Sequence, residues 1–203
     1  RHRGFDLLSS VFSAHYRGVT GEAPRTTDAV WETRGEVLFA QGRVLDAVYS
    51  ANSAGYTESS ESVWGYRTPL VGVSDPLLPE IDAPRTPAAL YEWLVRRPES
   101  YSSDHNFSSP SAYRWRALVP RREIELRLSE RGHSVGRVIS VLPGARGLTG
   151  RVESRRIQGS SGSTEIERDA IRSALGGLRS NLFLLAPHLD AGGKVDYFLI
   201  EGA

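Results

Sequence analysis

Cysteine and methionine are both absent from this chain of 203 residues, and lysine occurs only once, at Lys194. Without cysteine the fold has no disulfide framework, and no thiolate is available to bind zinc. No apolar run approaches the roughly 18 residues that a membrane span needs, so we expect no span within these residues. The formal net charge of +1 provides no basic field for nucleic acid.

Residue patterns that would bind a metal or another cofactor are also missing. The five histidines are scattered without the i, i+2 or i, i+4 spacing that places two ligands together. Phosphate-binding loops, dinucleotide fingerprints and Gly-x-Ser-x-Gly elbows do not occur either. The arginine pairs at 96–97, 121–122 and 155–156 are spread along the chain, so they predict no phosphate site. We therefore expect no metal and no cofactor.

Hydrophobic patterning predicts an α+β fold dominated by strands. Runs at 36–40 and 44–50 flank a turn and predict a hairpin. Thr86 followed by Pro87 is typical of a helix start. Thr164, with Glu167 three residues later, has the spacing of a capping box and predicts the start of a helix that runs through Ile171 and Leu175 and ends at Gly176-Gly177.

The most informative stretch is residues 51–65, ANSAGYTESSESVWG, which we call the signature segment. Ala54 and Gly55 let the backbone bend sharply or approach a ligand closely. The hydroxyl groups supply donors and acceptors, and Trp64 offers a flat apolar face. This is the chemistry of a loop that contacts a polysaccharide. An ordinary polar hairpin end closed by a core tryptophan has the same composition, and that alternative stays open.

The signature segment resembles that of the SpoIID/LytB family of bacterial cell-wall proteins, which includes sporulation proteins. The family has a run rich in Ser and Asn, then Gly-Gly, an aromatic residue or His, Thr-Glu, and a short polar run ending in Trp. Residues 53–58 and Trp64 match, whereas Ala54 replaces the first Gly and Ser50 stands where the family often has His. Further resemblances occur in family order, upstream of the signature segment at 15–18 and 28–50 and downstream of it at 69–76, 136–141, 147–159 and 171–185.

The resemblance implies a strand-dominated SpoIID-like domain over residues 1–203, with a small inserted helical lobe at 85–131. Family members carry a catalytic Glu on a helix that would precede Arg1. They also have a glycine-rich segment that would follow Ala203. The chain is therefore expected to be truncated at both ends. The absence of Met agrees with this expectation.

By resemblance, the chain acts on peptidoglycan glycan strands as part of a lytic transglycosylase that cleaves MurNAc-GlcNAc bonds. One Glu suffices for that reaction, and it is expected outside this chain, so we assign no catalytic residue and leave enzymatic activity open. Glu58 and Glu61 could form the carboxylate pair of a hydrolase. Solvated loop charges, or a cap for the next turn, explain them more simply.

This interpretation predicts that residues of the signature segment hold sugar hydroxyls, N-acetyl groups and ring faces. The predicted substrate-binding residues are Ser53, Gly55, Tyr56, Thr57, Glu58 and Trp64. The alternative is a non-catalytic peptidoglycan-binding modulator of a cell-wall amidase, as in the LytB branch of the family. The expected partners are glycan strands and an amidase, and not nucleic acid. The expected location is the cell envelope, with an export signal or anchor upstream.

Overall fold

The computed structural model describes residues 18–75, 82–106 and 108–203, and the chain divides after Ala47 into two units. Helices and antiparallel sheets occur together, so the predicted α+β class is confirmed. In the described residues, no helix is both long enough and apolar enough to cross a membrane.

The described residues of the first unit form a short 3-10 helix (Val19–Gly21), one α-helix and one small hairpin. Helix α1 spans Pro24–Glu32, and the hairpin pairs β1 (Phe39–Ala40) with β2 (Arg43–Val44). Gln41 and Gly42 join the strands with φ values of 52° and 75°. Positive φ at both central residues is what a two-residue type I′ turn requires. The predicted hairpin is confirmed, but its strands are shorter than the β-prone runs.

The strands in the described part of the second unit are β3 (Trp115–Pro120), β4 (Val138–Leu142), β5 (Ser154–Gly159), β6 (Gly162–Glu167), β7 (Phe183–Leu189) and β8 (Val195–Gly202). They form two three-stranded antiparallel sheets, with strand orders β3-β8-β7 and β4-β5-β6. The α-helices are α2 (Ser60–Trp64), α3 (Pro87–Arg96), α4 (Pro110–Tyr113), α5 (Arg121–Ser129) and α6 (Ala170–Ala174).

The main core lies where both sheets meet α5 and α6. Ile124 and Leu128, four residues apart on α5, are fully buried, as expected for the inward face of a helix. From β8, Phe198 and Ile200 reach the same core, which the period-2 alternation of a strand explains. Phe183 on β7 joins them and is fully buried.

Helix α3 begins and ends as local chemistry dictates, and it covers a second, smaller apolar cluster. The Thr86 hydroxyl accepts a hydrogen bond from the Ala89 N–H at 3.1 Å, which confirms the predicted cap. Arg97 ends the helix in the left-handed conformation, with φ of 49°. The second cluster consists of Ala54, Tyr56, Leu90, Trp93, Leu182 and Ala203. It joins α3 to the signature segment and to the ends of the β3-β8-β7 sheet.

The predicted helix through Ile171 is present as α6, but its predicted start at Thr164 is wrong. Thr164 pairs with Ile157, and Glu167 pairs with Ser154, in the β5-β6 hairpin. The next helix, α6, begins only at Ala170. A capping box stabilises a helix by local contacts alone, and here a full strand pairing and burial of Ile166 outweigh it.

Residues 85–131 contribute strand β3 to the β3-β8-β7 sheet and helix α5 to the main core. Strand β3 pairs with β8 from Trp115 to Pro120, and α5 carries the two fully buried residues named above. The single-domain boundaries and the inserted lobe stay predictions.

Candidate functional site

The signature segment makes a sharp bend at Ala54 and Gly55. Both residues have positive φ, 57° and 98°. The bend begins with an Asn side chain, because Asn52 Oδ1 accepts a hydrogen bond from the Ala54 N–H at 2.7 Å. Alanine in this conformation costs roughly 1–2 kcal/mol, which explains why glycine suits the position better.

A short extended segment at residues 71–75 runs alongside this bend. The Thr57 N–H donates to the Val73 carbonyl at 2.9 Å, and the Asp75 N–H donates to the Gly55 carbonyl at 2.8 Å. Gly72 allows the close approach, since a Cβ atom there would lie 2.8 Å from the Thr57 carbonyl oxygen. The resemblance at 69–76 therefore marks the segment that supports the bend.

A third segment, made of residues 100–106 and Ser108, closes the other side of the bend. Asn52 Nδ2 donates to the Ser102 carbonyl at 2.8 Å and to Ser108 Oγ at 2.5 Å. The hydroxyls of Ser53 and Ser102 share a hydrogen bond at 2.7 Å. Side-chain contacts between residues some fifty positions apart thus fix the loop against the bend.

These three segments enclose an open concavity of about 410 Å³, which we call the signature cavity. The bend contributes Ser50, Ala51, Asn52, Ser53 and Thr57, and the opposite wall contributes Asp75, Tyr101, Ser102 and Ser108. The Tyr101 side chain is 55% exposed. Its backbone N–H donates to Asp75 Oδ2 at 2.8 Å, which positions the carboxylate and the tyrosine together.

The lining suits a neutral, hydroxylated ligand. Serine and threonine hydroxyls can both donate and accept, and an exposed tyrosine offers an apolar face with a polar tip. In the described residues, no Arg, Lys or His lines this cavity. An anionic ligand would therefore find no partner charge here.

Two of the predicted binding residues, Ser53 and Thr57, line the signature cavity, and two others lie behind it. Gly55 is buried in the bend. The Tyr56 ring packs in the second cluster against Trp93, with ring centroids 5.4 Å apart, and its hydroxyl is buried without a hydrogen-bond partner. Burial raises the pKa of Tyr56, and the charge of Asp82 adds to the shift. Packing of the bend accounts for this ring.

Glu58 points to a different neighbour, the loop at residues 147–151. The Thr149 hydroxyl donates to Glu58 Oε2, and Arg151 donates to Thr149 Oγ1 and to the Ser53 carbonyl, each at 2.9 Å. Burial lowers the pKa of Arg151, and the Glu58 carboxylate opposes that shift. These contacts tie the bend to the loop, so Glu58 acts as a structural anchor in this arrangement.

Trp64 lies at the end of α2 and does not line the signature cavity. It is 44% exposed and stacks on Tyr66, with ring centroids 6.5 Å apart and an angle of 30° between the planes. The neighbouring Glu61 pairs with Arg67 at 2.9 Å, with both side chains largely exposed. The pair of rings forms a separate apolar surface.

Sequence reasoning missed the far wall of the cavity and the anchor of Glu58. The missed residues are Asp75, Tyr101, Ser102, Ser108, Thr149 and Arg151. The run of serines at 100–111 is a composition signal for the wall, but nothing local indicates that it contacts residue 52. No group of three or more His, Asp or Glu residues within the described ranges could hold a metal ion.

Comparison with known proteins yields one family match and one local similarity. Residues 91–203 match the model of a family described as Domain of unknown function (DUF8618). A 57-residue segment is 40% identical to a Bacillus subtilis (strain 168) protein named "Amidase enhancer", covering 28% of this chain and 8% of that protein. The match thus spans a small part of that relative's length. No solved structure matches the chain. Because the family model covers more than half of the residues, the chain belongs to the DUF8618 family.

Proposed function

We propose that this chain binds peptidoglycan glycan strands in the signature cavity, as the glycan-binding part of an exported cell-wall protein that enhances an amidase. The observation that carries the proposal is the cavity itself. It lies at the segment predicted to contact polysaccharide, and in the described residues hydroxyl groups, an amide and the Asp75 carboxylate line it without any cationic side chain. Its volume of about 410 Å³ falls within the range of small-ligand sites.

The chemistry of an aminosugar polymer matches this lining. Sugar rings present hydroxyls at their rims and apolar faces above and below. Ser50 and Thr57 offer hydroxyls, and the exposed Tyr101 ring offers a face for stacking. The exposed Trp64 and Tyr66 rings provide a further apolar surface on which a longer strand could lie.

The local similarity to a protein named "Amidase enhancer" supports the amidase-modulating part of the proposal. It agrees with the LytB branch of the family resemblance described above. The SpoIID/LytB assignment of the whole chain, the amidase partner and the envelope location all belong to this proposal.

The second candidate is a lytic transglycosylase in which this chain supplies the substrate groove and an acid from outside it protonates the glycosidic oxygen. The engagement of the nearby carboxylates favours an external acid. Glu58 is held by Thr149, and Glu61 is paired with Arg67. A catalytic acid must reach the leaving oxygen at hydrogen-bond distance, which these contacts oppose.

Co-sedimentation of the intact chain with purified sacculi tests glycan binding. Replacing Tyr101 with Ala removes the exposed ring, and we expect binding to weaken by up to about tenfold, the value of one aromatic contact. The matched control is Tyr91→Ala, since Tyr91 is a comparably exposed tyrosine outside the cavity. Equal loss in both variants, or no sedimentation of the parent chain, would contradict the proposal.

Product analysis separates the two candidates. Sacculi incubated with a cell-wall amidase release peptides faster in the presence of an enhancer, and the glycan strands keep their reducing ends. A lytic transglycosylase instead produces anhydromuramyl ends. We expect stimulated peptide release without anhydromuramyl products from this chain, and the opposite pattern would favour the second candidate.

A further inference from the structure

A second concavity, of about 500 Å³, lies between α3, the start of β3 and the end of β8. We call it the arginine groove, after Arg97, Arg114 and Arg116, which all line it. All of its lining residues fall within the region 91–203 that defines the family match, and none of them lines the signature cavity.

The groove carries an excess of positive charge. Arg116 forms an ion pair with Glu201 at 2.5 Å, and this is the one carboxylate among the lining residues. Within the described residues, no carboxylate lies within 4.0 Å of the Arg97 or Arg114 guanidinium. Two of the three cations therefore have no carboxylate partner among the residues that the structure describes.

Arg114 is held in a fixed orientation. It donates to the Tyr113 carbonyl at 2.8 Å and to the Trp93 carbonyl at 3.0 Å, and its guanidinium lies 3.9 Å from the centre of the Tyr113 ring. Its Nε is buried without an acceptor. Burial lowers the pKa of Arg114, but arginine remains cationic at neutral pH. A guanidinium already fixed in place loses little entropy when an anion binds.

The opposite wall of the groove is apolar. Leu94 and Val95 follow Tyr91 by three and four residues, so all three lie on the same side of α3. Tyr91 and Val95 are 61% and 62% exposed. Trp115 forms the floor by lying across Gly202, where a Cβ atom would come within 2.3 Å of the indole ring.

We propose that the arginine groove binds an acidic peptide segment of a partner protein, with carboxylates at the arginines and an apolar side chain against α3. Guanidinium groups pair well with carboxylates, and the apolar wall would be left uncovered by a simple phosphate. This inference does not depend on glycan binding by the signature cavity.

Fluorescence anisotropy with the intact chain and a labelled pentapeptide, Asp-Leu-Glu-Phe-Glu, tests the inference. We expect saturable binding with a Kd below about 1 mM at low salt. The peptide with Asn and Gln in place of its carboxylates, and the peptide with Ser in place of Leu and Phe, should each bind about tenfold more weakly. Raising the salt concentration from about 0.05 M to about 0.5 M should weaken binding of the parent peptide several-fold, because salt screens the attraction between guanidinium and carboxylate groups.

Variants at exposed positions locate the binding. Arg116→Gln and Arg97→Asn should each weaken binding about tenfold, and asparagine tolerates the left-handed conformation at residue 97. Arg122→Gln is the matched control, since Arg122 is an exposed arginine of α5 outside the groove. Tyr101→Ala in the signature cavity should also leave peptide binding unchanged.

Three results would overturn the inference. One is absence of saturable binding up to about 1 mM, the weakest affinity that we would assign to a specific site. Another is equal loss in the Arg122→Gln control. The last is displacement of the peptide by inorganic phosphate at the same concentration as by unlabelled peptide, which would indicate a simple anion site.

Discussion

The two concavities of the second unit are built by different means and carry different chemistry. Loops make the signature cavity, and hydrogen bonds from Asn52 and Ser53 to Ser102 and Ser108 hold its walls. A helix and strand ends make the arginine groove, and packing of Trp115 across Gly202 forms its floor. The first has no cationic lining in the described residues, whereas the second has three arginines.

This difference is consistent with the two proposals made above, which assign a different class of ligand to each concavity. A neutral hydroxylated polymer suits a cavity of hydroxyls, and an acidic peptide suits a groove of guanidinium groups. Binding at each place should therefore respond to different mutations. The same difference in construction also predicts which single substitutions damage which place.

We expect the largest loss of stability from a substitution at the floor of the arginine groove. Gly202→Ala places a methyl group against the Trp115 ring and 2.6 Å from the Leu182 carbonyl oxygen, and neither can move away easily. We expect a loss of about 3 kcal/mol in the free energy of unfolding, typical of severe overpacking. Urea denaturation measures it. Gly192→Ala is the control, because only the Asp190 side chain comes near a Cβ atom there. A comparable loss in the control would refute the steric explanation.

The signature segment depends instead on a buried polar contact. Thr149 is 5% exposed, and Thr149→Val removes the hydroxyl that serves both Glu58 and Arg151. We expect a loss of about 1 kcal/mol in the free energy of unfolding, because two half-buried polar groups lose a partner. A double-mutant cycle with Glu58→Gln measures the coupling between the two side chains. Additive effects of the two substitutions would mean that this anchor contributes nothing.

Backbone strain should produce the smallest difference between the two places. Ala54→Gly relieves roughly 1 kcal/mol of left-handed strain but removes a buried methyl group worth about 0.8 kcal/mol, so stability should change little. Arg97→Gly relieves similar strain at an exposed position and should stabilise by up to about 1 kcal/mol. Thermal unfolding of both variants tests this ranking. A clear stabilisation by Ala54→Gly alone would reverse it.

Local chemistry predicted the parts of the fold that depend on neighbouring residues. The Thr86-Pro87 start of α3 and the turn at Gln41-Gly42 are confirmed because a cap and a type I′ turn are decided within a few positions. The capping box at Thr164 failed for the converse reason. Its residues pair with a strand whose contribution no local pattern reveals.

The same distinction between local and tertiary contacts explains which residues of the two concavities could be predicted from the sequence. The sequence identified the bend and two residues that line its cavity, Ser53 and Thr57. It did not identify Tyr101 or Thr149, because these come into contact only through tertiary structure. The arginine groove was missed altogether. Arg97 sits beside a neighbouring arginine in a pair that looks isolated, and only the fold brings it near Arg114 and Arg116.

Helix α3 is shared between the two concavities. The Trp93 ring packs against Tyr56 in the bend, and the Trp93 backbone carbonyl accepts a hydrogen bond from the Arg114 guanidinium in the groove. The position of Trp93 thus helps to shape both concavities, so a substitution at this residue is expected to disturb the two together.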